Sequence, residues 1–231
     1  MKKVTISICA IVIALNLNSQ NVKTFNHIKN GNRIEITVST IDSITFDEFL
    51  VLTGTTGVLI NGVVWATCNV STPNKFASYP YEAGMFYQWN RKVGWSCTDP
   101  MVNSDGGTTW TSAIFIGDNW EDGKGPCPPG WRLPTSGELQ SLLSSHSLWH
   151  EWSGVSGRFF GSDSQKVFFP AVGERNGDNG KLYGVGYCGY YWSGTPIEQS
   201  KAYFLSLQDN NYSNISYERY NYGYSVRCVL E

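Results

Sequence analysis

The stretch GPCPPGWRLPTSGEL (residues 125–139) leaves this chain fewer choices than any other. Pro128, Pro129 and Pro134 each fix a backbone dihedral and withhold a donor, so neither a helix nor a central strand can run through them. Thr135 follows, with Glu138 three residues on, which is the capping-box pattern of a helix start. Leu139, Leu142 and Leu143 then recur at the spacing of one helical face. The prolines therefore aim a helix and fix Cys127 at its entry.

The chain opens with Lys2 and Lys3 ahead of an apolar run from Val4 to Leu17. That run is shorter than the ~20 residues a membrane span needs. Small Ser19 precedes Gln20, so residues 1–19 are expected to be a secretory signal peptide, and no other segment reads as transmembrane. Export leaves Cys68, Cys97, Cys127, Cys188 and Cys228 in an oxidising compartment that favours pairing, and spacing alone leaves the pairing open. There is no CxxC, and His27, His146 and His150 do not stand at zinc-finger spacing, which argues against a structural zinc. Lys plus Arg number 17 against 19 Asp plus Glu, with no basic block, so nucleic acid is not an expected partner. Aromatic residues at 14% and 24 glycines point to a loop-rich, aromatic-cored extracellular fold.

Residues 20–50 read as a short β module or linker. KNGN is a turn signal, Arg33 to Val38 alternates as a half-buried strand does, and Ile41 with Ile44–Phe46 offers another short strand. The main domain is expected over 51–231. GVLINGVVWATCNV reads as one or two buried strands, YEAGMFYQWN as helix or strand, and 94–126 as long surface loops. The second half alternates strands with glycine-rich turns. In the last segment Tyr220, Tyr222, Tyr224, Val226 and Cys228 share one parity, hence one face if the segment is a single strand.

Three blocks in order, GPCPPGWRLPTSGEL, FPAVGERNGDNGKLYGVGYCGYYWSGT and GYSVRCV, resemble the signatures of the Fibrobacter succinogenes major paralogous domain. INGVVWATCNV resembles its opening strand, and IDSITF resembles a short module found ahead of such domains. The resemblance covers most of 57–231 and leads to secreted Bacteroidetes-type proteins. It implies an α+β, C-type-lectin-like fold, similar also to the sulfatase-modifying factors, with short mixed or antiparallel sheets and one or two helices. It further implies a structural disulfide between Cys127 and Cys228, worth about 4.7 kcal/mol on chain-entropy grounds. Glu174 departs from it, standing where an aromatic residue is expected before Arg175, and Cys97 and Cys188 lie outside the signature.

Candidate chemistry is sparse. His146 and His150, i and i+4 in SHSLWHEW, could share a metal on a helix, but exposed residues at a helix end are the favoured reading. Glu174, Asn176, Asp178 and Asn179 in GERNGDNG offer oxygen ligands to calcium, against the plainer reading of a left-handed turn. The sugar-and-calcium triplets of C-type lectins are absent. Cys97 and Cys188 could imitate the copper-binding thiols of the formylglycine-generating enzymes, and Ser193 in YWSGT lacks a nucleophile elbow. Arg132 and Arg227 are expected to brace the cysteines beside them. The positive feature is aromatic: Tyr187, Tyr190, Tyr191, Trp192, Tyr212 and Tyr217 lie in or beside glycine- and asparagine-rich turns, where rings can stack on sugars or anchor proteins. The expectation is a non-catalytic, secreted, periplasmic or cell-surface binding domain for glycan or protein, without a cofactor other than calcium. The alternatives are a formylglycine-generating-type oxidoreductase and a structural or assembly subunit of the envelope.

Overall fold

The computed structural model describes residues 24–29 and 32–37 and, from 57 to 231, all but 115, 116, 118, 119, 121–124, 199, 210 and 211. The chain divides into two units, Met1–Gly54 and Thr55–Glu231. In the first, β1 (Thr24–Lys29) and β2 (Asn32–Thr37) pair antiparallel, with Lys29 opposite Asn32, the pairing expected of strands on either side of the KNGN signal. The signal expected over 1–19, the strand expected at 41–46 and the boundary at 50/51 fall outside the described residues.

The second unit opens with β3 (Gly57–Ile60) and β4 (Val63–Ala66). Asn61 and Gly62 join them with φ of 49° and 82°, the left-handed pair that a two-residue hairpin turn needs. β17 (Val229–Leu230), at the chain's end, lies between β4 and β7 (Trp131–Arg132). This places the last strand beside the proline-rich turn, and Cys127 is bridged to Cys228, both buried. The helix α1 (Ser136–Leu143) begins where the capping box predicts. Glu138 N donates to Thr135 Oγ1 at 3.1 Å, and Thr135 N donates to Glu138 Oε2 at 2.7 Å. Arg132 clamps the same carboxylate, Nη2 to Oε1 at 2.7 Å, while Leu139 and Leu142 are buried.

A three-stranded antiparallel sheet follows, β8 (Ser147–Trp152), β9 (Val155–Ser162) and β10 (Gln165–Pro170). It corrects the helical reading of SHSLWHEW: α1 ends at Leu143, His150 sits on β8, and both His146 and His150 are exposed.

The largest sheet is mixed and runs β12 (Leu182–Tyr183), β11 (Glu174–Arg175), β16 (Gly223–Ser225), β13 (Cys188–Glu198), β14 (Lys201–Gln208), β15 (Ser213–Arg219). β13 and β16 run parallel, and β5 (Met85–Gln88), carrying β6 (Gly94–Ser96), adds to the other edge of β16. Within YEAGMFYQWN, Met85–Gln88 is thus a strand, and none of the stretch is helical. The reading of 94–126 as surface loop holds only in part, because Trp95 and Trp120 are buried in the core. The C-terminal segment is not one strand either, being irregular from Val226 to Cys228. Its parity still governs packing: Tyr220, Tyr224, Val226 and Cys228 enter one hydrophobic cluster, with Tyr222 against it.

Two cores flank the large sheet, one around Trp89, Trp192 and Tyr224, the other around Trp65, Tyr191 and Leu205. The domain is largely β and loop-rich, with one α-helix among the described residues, within the α+β class. No helix among them is long and apolar enough to cross a membrane.

Candidate functional site

β13 lies inside the large sheet with a core on each face, so adjacent residues of CGYYW are both covered. Tyr191 and Trp192 are fully buried, which removes them from the surface the sequence assigned to them. Tyr191 OH donates to the Pro170 carbonyl at 2.6 Å, and Trp192 Nε1 to that of Tyr87 at 2.8 Å. Tyr217 is exposed but belongs to the Ile215 face of β15, where it meets Tyr203 and Lys201. Tyr187 and Tyr212 are exposed and stand on neighbouring turns: Asp209 N donates to the Tyr187 carbonyl and Gln208 N to that of Tyr212.

Tyr190 belongs to a different environment. It is partly buried, and its ring stacks on Tyr224 with centroids 5.2 Å apart and planes 23° from parallel. Arg175 registers with Gly223, which sets Glu174 beside Tyr224 on the same face of the sheet. The Tyr224 hydroxyl is close enough to the Glu174 carboxyl to draw its pKa down. Across β12, Tyr183 is the direct partner of Glu174 and is half exposed. Gly173 allows that close approach: its φ is +75°, and a Cβ there would lie 2.0 Å from the Tyr183 carbonyl oxygen. Tyr222 flanks Tyr224 at 5.9 Å, and Cys188 neighbours the Tyr190 hydroxyl. The face is therefore a wall of tyrosines around one carboxylate.

Burial raises the Glu174 carboxyl to about 7; the Tyr224 hydroxyl pulls it down, and the like charge of Glu218 pushes it up. No cation forms an ion pair with it among the described residues. The guanidinium of Arg219 is committed elsewhere, to Asp178 at 3.2 Å and Glu218 at 3.6 Å, and it covers the Tyr222 ring.

The residues of the calcium set read from GERNGDNG have roles within the fold. Asn176 Oδ1 accepts from Asp178 N at 3.0 Å and Asn179 Oδ1 from Lys181 N at 2.9 Å, so both side chains bend the loop. Asp178 tethers it to β15 through Arg219, and Glu174 faces the tyrosines. Among the described residues no group of three or more His, Cys, Asp or Glu is placed to hold a metal.

Cys68, Cys97 and Cys188 are free thiols. Cys97 Sγ donates to the Gly84 carbonyl at 3.2 Å, and burial pushes the Cys68 and Cys97 thiols up. Ser193 Oγ donates to the Tyr203 carbonyl and accepts from Thr195 N, which makes it a brace. Sequence reasoning passed over Tyr183 and Glu218, while the shared parity of Tyr222 and Tyr224 with Cys228 does place them inward, Tyr224 buried and Tyr222 packed against the same cluster. The available signal was Glu174 itself, a carboxylate at a position where the family resemblance leads one to expect an aromatic residue.

A family model described as a domain of unknown function (DUF8237) matches residues 156–229, a span that contains Glu174, Tyr183, Cys188, Tyr190, Glu218 and Tyr224. No curated protein and no solved structure matches the chain.

Proposed function

We propose that this protein is a non-catalytic binding domain that recognises a glycan on the tyrosine-walled face around Glu174. The observation that carries the reading is a partly buried carboxyl that strand register sets beside Tyr224 and half-exposed Tyr183, with Tyr190 stacked on Tyr224. Sugars offer apolar C–H faces that rings stack on and hydroxyls that a carboxylate accepts, so the two residue types are complementary to one ligand. A few convergent polar groups within aromatic walls are the usual composition of a small-ligand site.

The proposal includes a C-type-lectin-like fold of the major paralogous type and a secreted or cell-surface location. A capped helix beside a proline-rich turn, joined by Cys127–Cys228 to the last strand, supports the fold, and the disulfide is compatible with export. Calcium is no part of the reading, since the oxygens of Asn176 and Asn179 serve their own loop.

The test is a broad polysaccharide and mucin-glycan array probed with the chain produced by export into an oxidising compartment, with calcium and with chelator. Binding to a subset of glycans, unchanged by chelator and lost in Tyr183→Ala and Tyr190→Ala, is expected. Silence on every glycan, or binding intact in both variants, overturns the reading and leaves a protein ligand or an assembly role to be examined.

A further inference from the structure

We infer that the glycan taken by this face carries a free ammonium group, that is, an amino sugar whose nitrogen is not acylated. This rests on the glycan reading above and names the ligand class that the site's charge requires. Glu174 is partly buried without an ion-paired cation among the described residues, and Glu218 adds a second negative charge to its field. An ionised carboxylate removed from water is unfavourable until it is paired and hydrogen-bonded. Arg219, the cation near this face, is held by Asp178 and Glu218.

The hydroxyls of a neutral sugar can satisfy lone pairs on Glu174, but they leave its charge unmatched. An ammonium does both, bringing three donors and a positive charge. The tyrosines favour the same choice, because the face of an aromatic ring attracts cations, and more strongly where water is excluded. Tyr183, Tyr190 and Tyr222 therefore serve either end of an amino sugar, stacking on its ring or facing its nitrogen. The carboxyl's rise to about 7 in the free protein accords with a charge that lacks its partner.

Three β-1,4-linked glucose-type oligomers separate the ideas, because they differ only in the substituent at C2: amine, acetamide or hydroxyl. Calorimetric titration of the full chain is expected to show the amine oligomer binding about tenfold tighter than either of the others. The advantage should shrink with added salt and vanish in Glu174→Gln. It should persist in Asp163→Asn, an exposed carboxylate in the β9–β10 turn, which controls for general attraction to an acidic protein. Tyr183→Ala should weaken all binding, and serves if Glu174→Gln fails to fold. Equal binding of the three oligomers, preference for the acetamide, or an advantage that survives in Glu174→Gln overturns the inference. If none of the three binds while other neutral glycans on the array do, the ammonium idea falls and the glycan reading stands. If no glycan binds at all, the glycan reading itself has failed.

Discussion

Arg227 and Glu174 are both charged, both withdrawn from water, and neither is ion-paired within the described residues, yet their surroundings are opposite. Arg227 is fully buried and spends its guanidinium on five hydrogen bonds, to Asn69 Oδ1 twice and to the carbonyls of Ala66, Thr67 and Phe168. It also lies over the Phe169 ring at 4.6 Å. Burial lowers its pKa, but its donors are all but used, so the charge works as a knot between β4, β10 and the C-terminal segment. Glu174 is only partly buried, and no hydrogen-bond donor or cation within the described residues claims its carboxylate as Asn69 and the carbonyls claim Arg227. The lesson is that a missing counter-ion does not itself mark a site. What distinguishes the two is whether hydrogen bonding is complete within the fold.

The comparison can be broken at either end. The largest effect is expected from Arg227→Met, which leaves Asn69 and three buried carbonyls without donors and should cost about 3 kcal/mol, read from urea unfolding. A loss below about 1 kcal/mol would mean the knot is dispensable and the contrast with Glu174 unfounded.

A smaller effect, of opposite sign, is expected from Glu174→Gln. Between the ordinary 4.5 and about 7 the folded protein keeps a proton on Glu174 that the unfolded chain has released, so its stability falls as pH rises through that window. Burial sets this, opposed by Tyr224 on β16 and reinforced by Glu218 on β15, while Tyr190 on β13 and Tyr183 on β12 are the other titratable neighbours of the same face. Removing the charge should flatten that slope, leaving the variant more stable than the parent at about pH 8 and with no such advantage near pH 4.5. Paired urea midpoints at the two pH values decide it. The smallest change in stability, within about 0.5 kcal/mol, is expected from Tyr183→Ala, whose ring is half exposed, although its binding should be lost.

What was legible in the sequence was local. Thr135 and Glu138 are three residues apart and need only each other, so the helix start could be read directly. The KNGN signal was legible by the same logic, and the strands on either side of it pair with Lys29 opposite Asn32. Cys127 and Cys228 stand 101 residues apart, and their pairing came from the family resemblance because no local chemistry joins them. The aromatic assignments failed for a related reason. A run such as Tyr190-Tyr191-Trp192 beside glycines does not reveal that its strand carries a core on both faces, and two of the three rings are fully buried. The site itself is assembled by registers among β11, β12, β13 and β16, which bring Glu174 to Tyr183 and Tyr224. Those registers depend on the whole sheet, and only the odd carboxylate before Arg175 hinted at them.

The most direct measurement is a carbon-13 NMR titration of the Glu174 side-chain carboxyl, free and with the amine oligomer. The account predicts a midpoint near 7 in the free protein, falling toward the ordinary carboxylate range when the ammonium ligand is bound. A carboxyl that already titrates near 4.5 in the free protein and does not move with ligand would contradict it.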